Sequence, residues 1–117
     1  MKKVKFSINI NATKEKVWST LWDDSTYRQW CFVFASDSHA VSDWIEGSKI
    51  KFIDGKGNGM FSIIEKKIPN QQMTFKHLGE LKNGVEDKKD WAGAMENYFL
   101  NETNGITELN IEMDINE

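Results

Sequence analysis

Proline and cysteine are nearly missing from this chain of 117 residues, with one of each, Pro69 and Cys31. A lone cysteine excludes an internal disulfide. Long apolar runs are missing too: the longest spans only a few residues, far short of the ~20 needed to cross a bilayer. The amino-terminal segment Met1-Lys2-Lys3-Val4-Lys5-Phe6 lacks the apolar stretch of a secretory signal. The expected compartment is therefore the cytoplasm, where the sequons Asn11-Ala12-Thr13 and Asn101-Glu102-Thr103 carry no glycan. Nor does charge of one sign dominate. Lys and Arg total 15 against 18 Asp and Glu, a net charge of −3, with both signs interleaved, which gives no basis for a nucleic acid or an anionic membrane as partner. Cys31, His39 and His77 are isolated from one another in sequence, so no metal motif is present, and no cofactor is expected.

What is present is a chain with 39% hydrophobic and 12% aromatic residues, enough for one domain and its core. The organising stretch runs from Asp43 to Pro69. Two runs rich in β-branched and aromatic residues, up to Ile53 and from Met60, flank Gly55-Lys56-Gly57-Asn58-Gly59, whose residues tolerate the positive φ of a tight reversal, and this predicts a β-hairpin. The glycine cluster superficially resembles a phosphate-binding loop. Such a loop needs Lys followed by Ser or Thr and leads into a helix, whereas this one leads into a strand.

Before the hairpin, Val4, Phe6, Ile8 and Ile10 alternate with polar residues at the period of a half-buried strand. Asn11 or Thr13 can cap a following helix over about 13 to 22, in which Val17, Trp18, Leu21 and Trp22 recur at helical spacing. Asp23-Asp24-Ser25 offers a second cap, and Tyr27 and Trp30 mark a short second helix. Residues 31 to 41 read as a loop with room for a short edge strand, and His39 there as solvated. After the turn at Pro69-Asn70, Met73, Phe75 and His77 share one face of a strand. Residues 79 to 94 read as a long mobile connection anchored by Trp91. A strand over 95 to 100, a turn over 101 to 105, and a final strand with Thr107, Leu109, Ile111, Met113 and Ile115 on one face complete a sheet of strands that pair antiparallel.

His77 is the one candidate for acid–base chemistry, because it sits among apolar neighbours on one face; equally, it is a wall histidine satisfied by backbone or water, and no catalytic partner is identifiable from sequence. Cys31 abuts Trp30 and Phe32, the setting of an inert buried thiol. Of the five tryptophans, Trp18 and either Trp22 or Trp30 read as core, and Trp44 as a residue at a cavity mouth. Met60, Met73, Met95 and Met113 suit an adaptable apolar wall or ordinary core filling.

Taken in order, Asn11-Ala12-Thr13-Lys14-Glu15-Lys16-Val17-Trp18, Tyr27-Arg28-Gln29-Trp30, Asp43-Trp44-Ile45-Glu46-Gly47-Ser48-Lys49-Ile50, Gly57-Asn58-Gly59-Met60 and Phe75-Lys76-His77-Leu78-Gly79 resemble the family related to the activator of the heat-shock protein 90 ATPase, within the START-like (SRPBCC) superfamily. The resemblance covers nearly the whole chain. It implies an α+β helix-grip fold, a curved antiparallel sheet with two short amino-terminal helices and a hydrophobic cavity. It also implies a long carboxy-terminal helix, which is missing because the chain stops at Asp114-Ile115-Asn116-Glu117. The expectation is thus one START-like domain over 1–117, truncated relative to the family, with a homodimer covering the open sheet face. The function so implied is binding of a hydrophobic small molecule or lipid-type ligand without catalysis. The alternatives are a protein-interaction module contacting a chaperone or other protein, and a cyclase or hydrolase built on His77. The cavity candidates are Trp30, Phe32, Trp44, Phe52, Met73, Phe75, His77 and Phe99.

Overall fold

The structure, a computed structural model, describes residues 2–31, 38–89 and 92–115. In chain order the elements are β1 (Lys2–Ile10), α1 (Lys14–Trp22), α2 (Asp24–Cys31), β2 (His39–Val41), β3 (Lys49–Ile53), β4 (Gly59–Ile68), β5 (Gln72–Lys82), β6 (Val85–Lys88), β7 (Ala94–Thr103) and β8 (Ile106–Ile115). They form one antiparallel sheet in the order β1-β8-β7-β5-β4-β3-β2, with β6 paired to β5. This is the α+β sheet with two short amino-terminal helices expected from sequence, and among the described residues β8 is the last element.

Cross-strand register fixes which side chains share a face, because residues directly opposite one another point the same way. Phe52 lies opposite Met60, and Ile50 opposite Ser62, which in turn faces His77. Ile64 pairs with Phe75, Phe75 with Glu96, Glu96 with Met113, and Met113 with Val4. A parallel row runs Met73, Tyr98, Ile111, Phe6. These rows form the inner face, so Ile50, Phe52, Met60 and Ile64 all look inward.

The helices cover the middle of that face. The Thr13 side chain accepts from the Lys16 amide at 3.2 Å and caps α1. Two long-range bonds then anchor the helix start to the sheet: the Lys14 amide donates to Glu102 at 2.8 Å, and the buried Thr107 hydroxyl donates to the Ala12 carbonyl at 2.7 Å. A carboxylate at a helix amino terminus also suits its dipole. So held, α1 drives Val17 and Trp22 into a core with Ile50, Ile64, Met73, Phe75, Tyr98, Leu100 and Leu109. The cover ends before β1. Phe6 and Ile8 stay 56% and 58% exposed although they share the inner face with Ile111 and Leu109.

Residues 79–89 and 92–94 are more ordered than the composition suggested. β5 runs on to Lys82, turns at Asn83-Gly84 with both φ values positive (51° and 80°), and returns as β6. β6 and β7 both lie along the same edge of β5, since Gly79 to Lys82 pair with β6 and Gln72 to His77 with β7. The signal was in the sequence: Asn-Gly between strand-forming residues is a hairpin turn, and the charged run beyond it falls on β6, whose residues are all exposed. Trp91 lies outside the described residues. The final turn is also tighter than 101–105, because β7 extends to Thr103 and only Asn104-Gly105 reverse the chain.

Gly79 is required by packing. A β-carbon there would stand 2.8 Å from Cε1 of Phe61, whose buried ring lies over this position on the outer face. Phe61 and Ser62 alternate along β4, so Ser62 faces inward and Phe61 outward, and the register shift between them leaves Leu78 of β5 as the extra residue between His77 and Gly79.

Candidate functional site

Trp22 lies at the centre of the inner face. Its ring meets Tyr98 edge-on at 4.9 Å, Phe75 at 5.4 Å and Trp44 at 6.0 Å. Phe52 adds an edge contact to Phe75 at 5.1 Å. Offset and edge-on pairs of this kind are favoured by the ring quadrupoles and lock the walls in one arrangement. Beside them opens a cavity of about 570 Å³. Its apolar lining comes from five aromatic side chains, Trp22, Tyr27, Phe52, Phe75 and Tyr98, with Ile53, Met60 and Met113. The volume falls in the range of about 300–1,000 Å³ typical of small-molecule sites.

A chain of polar side chains runs along one wall. Ser62 Oγ and His77 Nδ1 stand 2.6 Å apart, His77 Nε2 lies 3.3 Å from Glu96 Oε1, and the Tyr98 hydroxyl donates to Glu96 Oε2 at 2.6 Å. Ser62 is wholly buried and His77 nearly so. The sheet register creates this chain: Ser62 is directly across from His77, Glu96 is diagonal to it, and Tyr98 is two residues further along the same face of β7. Burial raises the Glu96 pKa, but the bonds from His77 and Tyr98 and the attraction of His77 outweigh it, so the carboxyl is held below its usual range. An ionised Glu96 only accepts, so His77 Nε2–H donates to it. Nδ1 is then left facing the Ser62 hydroxyl. Both ring nitrogens are thereby engaged.

At the opposite rim, Asp54 Oδ1 accepts from the amides of Lys56 at 2.8 Å and Asn58 at 3.0 Å. The Asn58 and Lys56 amides lower the Asp54 pKa, so this carboxyl too is an anion at neutral pH. Ser38, His39, Asn58 and Gly59 complete the rim. The indole nitrogen of Trp22 is buried with no hydrogen-bond partner among the described residues.

Of the cavity candidates, Phe52, Phe75 and His77 line this space. Met73 is fully buried beneath it as core. Trp44 is not among the residues lining this space; it packs on Trp22 at the edge of the core. Phe99 is likewise excluded from the cavity: it alternates with Tyr98 and Leu100 and points from the outer face. The side chain of Trp30 and all of Phe32 lie outside the described residues. His39 corrects the solvated-loop reading, since it is half-buried in β2 and lines the rim. Of the methionines, Met60 and Met113 reach the cavity. Nothing local marks Ser62, Glu96 or Tyr98 in the sequence, because only cross-strand pairing brings them to His77. Among the described residues no group of three or more His, Cys, Asp or Glu could hold a metal ion, and no helix is long and apolar enough to cross a membrane.

The profile of the Activator of Hsp90 ATPase homolog 1-like protein family matches residues 11–116. Among solved structures, the chain is similar to the Aha1 dimer from Colwellia psychrerythraea, with 24% identity and a TM-score of 0.75 over 100% of this chain and 79% of that one. It is similar to CalU16 from Micromonospora echinospora, with 18% identity and a TM-score of 0.69 over 95% of this chain and 59% of that one. A third likeness is to PFC0360w, an HSP90 activator from Plasmodium falciparum, with 10% identity and a TM-score of 0.69 over 96% and 71%. At these identities the likenesses establish the fold. Comparison with curated proteins gives no match.

Proposed function

The chain belongs to the Activator of Hsp90 ATPase homolog 1-like family, and from that premise we propose that it is a non-catalytic module that binds a small, largely apolar ligand in the cavity of its sheet. The observation that carries this reading is the aromatic-walled space of about 570 Å³ with one hydrogen-bonded polar chain along its side. Such a site orients a ligand through few polar contacts and holds it by apolar burial. The engagement of both His77 nitrogens, and the complete burial of Ser62, support binding rather than acid–base or nucleophilic work, which needs a group free to meet substrate. The single cysteine supports a reducing compartment, the cytoplasm.

The neutral dye N-phenyl-1-naphthylamine tests the reading. Its fluorescence should rise saturably with one site per chain, and Met60→Trp, which fills the space, should abolish the rise while Phe6→Ser leaves it intact. Absence of saturable binding would overturn it.

Family membership and the fold shared with an HSP90 activator support a second reading, stimulation of a chaperone ATPase. Adding the protein to an Hsp90-type chaperone should then raise ATP turnover; an unchanged rate at saturating protein excludes it. For assembly, a second copy of the chain covering the strip of Phe6 and Ile8 is supported by their exposure on an otherwise buried face, and by the dimer seen in the Colwellia relative. Phe6→Glu should shift the sedimentation equilibrium to monomer, and a wild type monomeric at every concentration rules it out.

A further inference from the structure

The binding reading leaves open the charge of the occupant, and the walls constrain it. Asp54 and Glu96 stand on the cavity lining, each fixed by hydrogen-bond donors of this chain. No lysine or arginine occurs among the described lining residues. The remaining titratable groups that face the space are His39 and His77, with the phenols of Tyr27 and Tyr98, and His77 is already committed between Ser62 and Glu96. The aromatic rings add a second electrostatic element, since their faces carry the negative part of the quadrupole and attract cations. A carboxylate or phosphate entering this space would shed its hydration and gain no lysine or arginine in return, while facing two carboxylate side chains, which is costly. An ammonium would meet a carboxylate at either side of the space, Glu96 or Asp54, among aromatic rings.

We propose that the cavity selects an aromatic or alicyclic amine, a hydrophobic cation, over neutral molecules of the same shape, and excludes the corresponding anions. This rests on the ligand-binding reading above and specifies its substrate class. It narrows the lipid-type reading in one respect, because fatty acids are anions at neutral pH.

Three probes of one skeleton decide it: 2-naphthylmethylamine, 2-naphthylmethanol and 2-naphthoate, titrated calorimetrically at pH 8. The amine should bind at least about tenfold more tightly than the carboxylate, with the alcohol between them, and added salt should narrow the gap. In Glu96→Gln and separately in Asp54→Asn, which keeps the oxygen that accepts from the turn amides, the amine preference should fall by about threefold or more while the alcohol still binds. Equal or tighter binding of the carboxylate would overturn the selectivity and leave the cavity reading standing. Failure of all three probes to bind would overturn both. Retention of the full preference in both folded variants, checked by circular dichroism, would also refute it, since the two carboxylates are its cause.

Discussion

Replacing Phe75 with Ala and Phe99 with Ala makes the same chemical change on opposite faces of one sheet. Phe75 has no exposed surface, and its ring touches Trp22 at 5.4 Å, Phe52 at 5.1 Å and Tyr98 at 6.2 Å, all near perpendicular. Truncating a buried phenylalanine costs about 3–5 kcal/mol. Part of that loss is the edge contacts, about 0.5–1.5 kcal/mol each and not additive. The space left would merge with the existing cavity and could not collapse, so about 3–4 kcal/mol is expected here. Phe99 is half-buried on the outer face between Gln72 and Asn110. Its removal should cost less than about 1.5 kcal/mol, roughly half the transfer value of a fully buried ring. Urea unfolding followed by circular dichroism reads both, with a common m value required for the comparison. The matching fall in melting temperature for Phe75→Ala is about 12–16 °C at roughly 4 °C per kcal/mol. Equal costs for the two variants, or a cost below about 1 kcal/mol for Phe75→Ala, would refute the inward assignment on which the whole site depends.

Ser62→Ala removes the 2.6 Å bond to His77 and strands a buried ring nitrogen, so it should cost about 1–3 kcal/mol in chemical denaturation; the double variant with His77→Phe should cost less than the sum of the singles. Gly79→Ala forces a β-carbon against Phe61 and the β6 backbone, for a loss of about 1–3 kcal/mol and faster amide exchange in β6 than in β7. Glu96 titrates below its ordinary value of 4.5 when folded, despite its burial, because of His77 and Tyr98. The stabilisation it contributes is therefore present above that ordinary value and is lost as pH falls through the lower folded one. An acid titration of stability should show this limb, and Glu96→Gln should flatten it.

Local chemistry made much of the fold legible. The alternation of Val4, Phe6, Ile8 and Ile10, and of Thr107, Leu109, Ile111 and Met113, specified strands because the pleat has a period of two. Thr13 and the spacing of Val17, Trp18, Leu21 and Trp22 specified a capped helix. The hairpin over Asp43 to Pro69 was legible for the same reason, and its glycine cluster proved to be a turn whose Asp54 is held by backbone amides. The β5–β6 hairpin was marked by Asn83-Gly84, but its charged return strand hid the pattern, since β6 packs no apolar face that would show alternation.

The site was legible only in part. Phe52, Phe75 and His77 could be placed on strands from sequence alone, but a strand has two faces, and alternation cannot say which one a helix will cover. That was decided when the contacts of Lys14 with Glu102 and of Thr107 with Ala12 seated α1 over one side. Covering that side made Tyr98 a wall of the cavity and put Phe99 outside it. The partners of His77 are a matter of register alone: Ser62 is 15 residues away in sequence and Glu96 is 19, and nothing local relates them. The sequence by itself determined the strands, the first helix and the turns, because these depend on neighbours within a few residues. Only the tertiary structure decided the cavity, its negative lining and its hydrogen-bonded chain, because each arises from side chains that meet across strands.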